Sequence, residues 1–89
     1  HRLHDQRSLA MHMLIAEKIK NDPSLLEVAK ATIARWRPNM ATHSLPYLDA
    51  WQQILEQGVE ATVAAAVDPS ERGTQLRQGA PFASILTQA

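Results

Sequence analysis

The sequence predicts an all-α fold, a small single-domain helical bundle of about five helices with an apolar C-terminal tail. Three observations lead there. Apolar side chains recur at the spacing of a buried helix face through most of the chain. No stretch alternates apolar and polar residues as a half-buried strand requires. Asp-Pro pairs and single glycines divide the chain into segments of helical length. The 89 residues suit one domain spanning the whole chain, and a chain of that size buries about 60–65% of its unfolded surface.

The first helix is expected from about Asp5 to Lys20. Leu9, Met13 and Ala16 share one face, while Leu14, Ile15 and Ile19 spread the apolar surface well around the cylinder. A helix this apolar belongs at the centre of the core or sandwiched against another chain, so a homodimer through it is compatible with the sequence. Asp22 can then cap orphan N–H groups, and Pro23 is preorganised for the first helical position. The second helix, about Pro23 to Arg37, carries Leu26, Ala29, Ile33 and Trp36 at helical spacing. Arg35 and Arg37 complement the dipole in its last turn, and Pro38 disfavours its continuation.

Residues 38–43 form the longest irregular connection. Ser44 is expected to cap a third helix, about Leu45 to Gln57, with Pro46 tolerated in the first turn. Leu48, Trp51 and Leu55 face inward there, with Tyr47 and Ile54 flanking and Asp49, Gln52, Gln53 and Glu56 on the wet side. Gly58 suits the left-handed position that ends a helix. A short fourth helix, Val59 to Val67, has a valine stripe at 59, 63 and 67, and its alanines point to close helix-on-helix packing. Asp68 and Glu71 read as a capping box opening a fifth helix. That helix ends near Gln78 before Gly79, with Leu76 as its apolar anchor and most of its surface exposed. The expected core is Leu9, Met13, Leu14, Leu26, Ile33, Trp36, Leu48, Trp51, Leu55 and Val63.

Formal net charge is zero but unevenly spread. Residues 1–43 hold seven Lys/Arg against four Asp/Glu, a balance of +3; residues 44–71 hold five acids and no base, −5; Arg72 and Arg77 return +2. A chain so divided can self-associate or offer an acidic face to a basic partner. No apolar run approaches the roughly 18 residues of a membrane span, and no signal-peptide pattern opens the chain, so no membrane contact is expected. The absence of cysteine excludes disulfides and thiolate zinc sites and fits a reducing cytoplasm.

Chemical candidates are few. His4 and His12 are eight residues apart, too far for the usual metal-binding pair on one helix, and His43 lies in a loop, so no metal is expected. Asp49 and Glu56 stand two turns apart on one polar face with Glu60 beyond, and nothing in the sequence desolvates either. With no nucleophile elbow and no glycine-rich phosphate loop, neither catalytic residue nor cofactor is expected. Arg72, Gln75, Arg77 and Gln78 on the fifth helix could reach bases or phosphates from a groove, with the short fourth helix completing a helix-turn-helix. This gives the alternative reading, a small DNA-binding regulator using the helix around Arg72–Gln78. Trp36, Trp51 and Tyr47 could form a stacking platform, but such spacing more often marks core anchors.

The tail places the only phenylalanine, with Ile85 and Leu86, beyond Gly79. Either it folds back on the core or it meets a partner. The favoured reading makes Pro81, Phe82, Ile85 and Leu86 a partner contact rimmed by Arg72 and Arg77.

Arg7-Ser8-Leu9 with His12 and Ile15-Ala16, then Asp22-Pro23, Arg35-Trp36, Trp51, Ser70-Glu71-Arg72, Leu76-Arg77-Gln78 and Pro81-Phe82-Ala83, form a pattern over nearly the whole chain. It resembles small bacterial all-helical proteins of unassigned mechanism associated with toxin–antitoxin-type gene pairs. The resemblance implies a bacterial cytoplasmic protein that binds a cognate protein, an antitoxin-like regulator without catalysis. It also implies that the natural sequence continues past Thr87 into another charged helix.

Overall fold

A computed structural model describes residues 2–82 and residue 85, with side chains from Gln6 onward. Five α-helices make up the described bundle: α1 (Arg2–Asn21), α2 (Leu25–Trp36), α3 (Leu45–Glu56), α4 (Val59–Ala66) and α5 (Glu71–Arg77). Two 3₁₀ turns, Arg37–Asn39 and Thr42–Ser44, bridge α2 and α3. The all-α reading holds. α1 packs chiefly on α4 and also touches α5 and α2, while α3 lies between α2 and α4. The radius of gyration, 12.2 Å, matches the roughly 12 Å of a tightly packed chain of this length.

Local chemistry accounts for the helix starts. Asp22 Oδ1 accepts the Ser24 N–H at 3.2 Å, so Asp22 caps the turn that Pro23 opens. That turn closes with i→i+3 bonds from Leu25 to Asp22 and Leu26 to Pro23, and α2 proper begins at Leu25 rather than Pro23. Ser44, expected as a side-chain cap, accepts no such bond, because the chain arrives already coiled in a 3₁₀ turn. At α5 the cap is Ser70, whose hydroxyl accepts the Gly73 N–H at 3.2 Å. Asp68 acts one step earlier, accepting the Ser70 N–H at 2.8 Å, so the expected Asp68–Glu71 box is replaced by this relay. Gly58 has φ +106°, a conformation that side chains rarely adopt, and ends α3 as its spacing implied.

The core is built from Ile15, Ala16 and Ile19 of α1, Leu25, Leu26, Ala29 and Ile33 of α2, and Leu48, Trp51 and Leu55 of α3. Ala66, Leu76, Phe82 and Ile85 complete it. The expected core needs correction at α1. Met13 and Leu14 are exposed at 55% and 62%, and Leu9 is half-buried. Neither expected grouping turns inward whole: Ala16 is buried with Ile15 and Ile19, while Met13 and Leu14 stay in water. On α4, Thr62 and Ala66 are fully buried, so small residues on both helices suit a close approach. The valines at 59, 63 and 67 flank that seam, half-buried. Thr62 is satisfied by donating its hydroxyl to Gly58 O at 2.8 Å. Trp36 and Val63, also expected in the core, are half-buried against it.

Candidate functional site

The residues expected to meet a partner are placed mostly inside. Pro81, Phe82 and Ile85 are buried, Phe82 at 1% exposure. The Phe82 ring meets Trp51 edge to face, with centroids 4.9 Å apart and planes at 83°, and meets His12 likewise at 5.9 Å. Trp51 Nε1 donates to Leu76 O at 2.9 Å, and Lys18 Nζ donates to Ile85 O at 3.4 Å. The tail therefore covers Trp51 and closes the core. Pro81, Phe82 and Ile85 are corrected from contact surface to interior, because the Phe82 ring covers the buried Trp51 indole edge to face. Leu86 lies outside the described residues. Arg72 is exposed as expected.

Arg77 is the second correction. It is only 6% exposed and so rims no surface. Its Nη1 donates to Ala66 O at 3.4 Å and to Asp68 O, and its Nη2 donates to Thr74 Oγ1 at 3.3 Å. The guanidinium thus ties α5 to the carbonyls that end α4. Beside it, His12 is 5% exposed, with Nδ1 donating to Ser8 O at 2.7 Å. Burial lowers the His12 pKa below 6.5, the Ser8 hydrogen bond opposes this, and the Arg77 charge pushes it further down. Nε2 of His12 and Nε of Arg77 have no hydrogen-bond partner among the described residues. Asp68 is held below its usual carboxyl value chiefly by the Ser70 N–H. The buried His12 was missed in the sequence, yet it is in phase with Ile15, Ala16 and Ile19.

Two surfaces remain open. A cleft of about 630 Å³ lies between the end of α2, the start of α3 and the end of α5. Trp36, Met40, Tyr47 and Leu48 give it apolar and aromatic walls, and Ala80 closes one side. Arg35, Asn39 and Ser44 face it from the α2–α3 side, with Gln75 and Gln78 opposite. The volume falls within the range of small-molecule sites. Gln75 and Gln78 were noted as possible base-readers and Trp36 and Tyr47 as a possible stacking platform; the fold joins the two pairs in one cleft. Trp51 belongs to the core instead.

The other surface is the outer side of α1. Met11, Met13 and Leu14 are exposed at 45%, 55% and 62%, with exposed Ala10 among them. These three are most of the large apolar side chains exposed among the described residues, the other being Tyr47 in the cleft.

The acidic pair is not drawn into either surface. Asp49 Oδ1 accepts Arg37 Nη1 at 2.7 Å in an exposed ion pair, and exposed Glu56 takes Gln52 at 3.5 Å. Of the DNA-reading set, Arg77 is inside, which leaves Arg72 as the exposed cation of α5. His43 is exposed. Among the described residues no group of three or more His, Cys, Asp or Glu could hold a metal, and no helix is long and apolar enough to cross a membrane. Comparison with family models, with curated proteins and with solved structures finds no match to this chain.

Proposed function

We propose that this chain is a non-catalytic protein-interaction module that meets a cognate protein through the outer face of α1. The observation that carries the reading is the exposure of Met11, Met13 and Leu14, large side chains left in water around the outer half of a helix whose inner face already fills the core. A monomer gains nothing by exposing three large apolar side chains on one helix, and apolar surface left in water often marks a contact. Methionine suits it, since the flexible thioether adapts to a partner's shape. An antitoxin-like regulator is the form of this reading that the sequence resemblance favours. The contact moves from the tail, which the core occupies, to α1.

Leu14→Glu tests it. The variant should retain its helical circular dichroism and melting temperature, because residue 14 touches no core. Affinity capture from lysate of the source organism, with nuclease present, should retain one protein in near-equal amount on the native chain and lose it on the variant. Equal capture by both, or none by either, would falsify the α1 reading. A concentration-dependent dimer that Leu14→Glu dissociates would instead replace the cognate protein by a second copy.

A further inference from the structure

We propose that the α2–α3–α5 cleft binds a nucleoside monophosphate. The proposal involves no residue of α1 and is independent of the protein contact. Three features of the wall argue for it together. First, Trp36 and Tyr47 are half-buried and exposed respectively, so both offer ring surface to an occupant while Met40 and Leu48 floor the space. Planar ring systems gain most from such walls, by stacking that every base can make. Second, three carboxamides face the cleft, Asn39 from one side and Gln75 and Gln78 from the other. Each carries a donor and an acceptor side by side, the pairing that a nucleobase edge presents in return. Among the described residues none of these carboxamides is held by a hydrogen bond of its own side chain.

Third, the charge of the wall has one sign. Among the described residues Arg35 is its single formally charged residue, and no Asp or Glu lines it. The guanidinium spends one donor, Nη2, on Thr32 Oγ1 at 3.3 Å and keeps its remaining donors for a ligand. A forked guanidinium is suited to a phosphate. An aromatic plane, a donor–acceptor edge and one anionic group together describe a nucleoside monophosphate better than a fatty acid, a sugar or a cation. The base would lie between Trp36 and Tyr47 with its edge on the carboxamides, and the phosphate on Arg35.

The two tryptophans provide the assay. Trp36 faces the cleft, whereas Trp51 is sealed beneath Phe82. The chain is titrated at low salt with AMP, GMP, CMP and UMP, with the parent nucleosides and inorganic phosphate as separate arms. At least one monophosphate should quench the emission saturably, and its nucleoside should bind about tenfold or more weakly. Trp36→Phe should abolish the quenching while the Trp51 emission persists as a check on the fold. Arg35→Gln, at an exposed position, should weaken the monophosphate about tenfold and leave the nucleoside unchanged, as read by equilibrium dialysis. Flat titrations with all four monophosphates overturn the proposal. So do quenching that survives Trp36→Phe, unchanged affinity in Arg35→Gln, or phosphate alone binding as well as its nucleotide.

Discussion

At the scale of single residues, the least ordinary pair is His12 and Arg77, two buried basic groups that feel each other's charge. Burial and, to a smaller degree, the charge of Arg77, which stays protonated, both favour the neutral imidazole and lower the His12 pKa. The consequence for stability has a definite sign. A histidine whose folded pKa lies below its unfolded value binds protons more readily when unfolded, so stability is complete above the unfolded pKa and declines as pH falls. Denaturant midpoints should therefore hold steady above about pH 6.5, fall on acidification through the folded pKa, and level off below it. His12→Gln, neutral throughout, should remove that decline while leaving any loss at lower pH from the carboxyl groups. A midpoint that drops equally in His12→Gln would assign the acid sensitivity elsewhere.

At the scale of elements, α5 depends on its first turn. Gly73 passes so close to the end of α4 that a Cβ there would lie 2.1 Å from Asp68 O and 2.7 Å from Asp68 Cβ. Helix propensity alone would make Gly73→Ala a gain of about 1 kcal/mol. The clash with main chain outweighs it, since backbone cannot rotate away as a side chain does, and the Arg77 bond to Asp68 O shares the same peptide. Gly73→Ala should lower the melting temperature. Gly79→Ala is the matched control, with open space at its Cβ and no positive φ, and should be neutral or raise it slightly. If both changes act alike, close approach is not what Gly73 provides.

These elements also show where a sequence stops being legible. Helix bounds came within a few residues because Asp22, Pro23, Gly58 and Asp68 impose local geometry that needs no knowledge of the rest, although the cap of α5 proved to be Ser70. The inward face of α1 did not, because Met13 and Leu14 compete with Ile15 and Ile19 on hydrophobicity alone. Only the partner helix α4, with Thr62 and Ala66 at the seam, decides between them. Arg77 and His12 were illegible for the same reason: both are polar by type and buried by circumstance. The cleft combines residues from three separate helical regions, and no spacing rule joins Trp36 to Gln78.

At the scale of the whole molecule, stability is concentrated where the tail meets the centre. A domain of this size holds only about 5–15 kcal/mol over its unfolded state, and removing a buried phenylalanine costs about 3–5 kcal/mol. Phe82→Ala should therefore lower the unfolding free energy by about that amount. Phe82→Asp, which buries a charge against Trp51 and His12, should leave the chain largely unfolded. Urea titration followed by Trp51 fluorescence checks both. A Phe82→Ala variant as stable as the native chain would show the lid to be dispensable.

The lid has a consequence in time as well. Phe82 sits on His12 seventy positions earlier, and Lys18 reaches Ile85 across sixty-seven. Helices α1 to α4 can coil as they are synthesised, but the indole at their centre stays wet until residue 82 has been added and has cleared the ribosome. From the addition of Trp51 to that of Phe82 the indole therefore lacks its lid. Closure of the core thus waits on the tail.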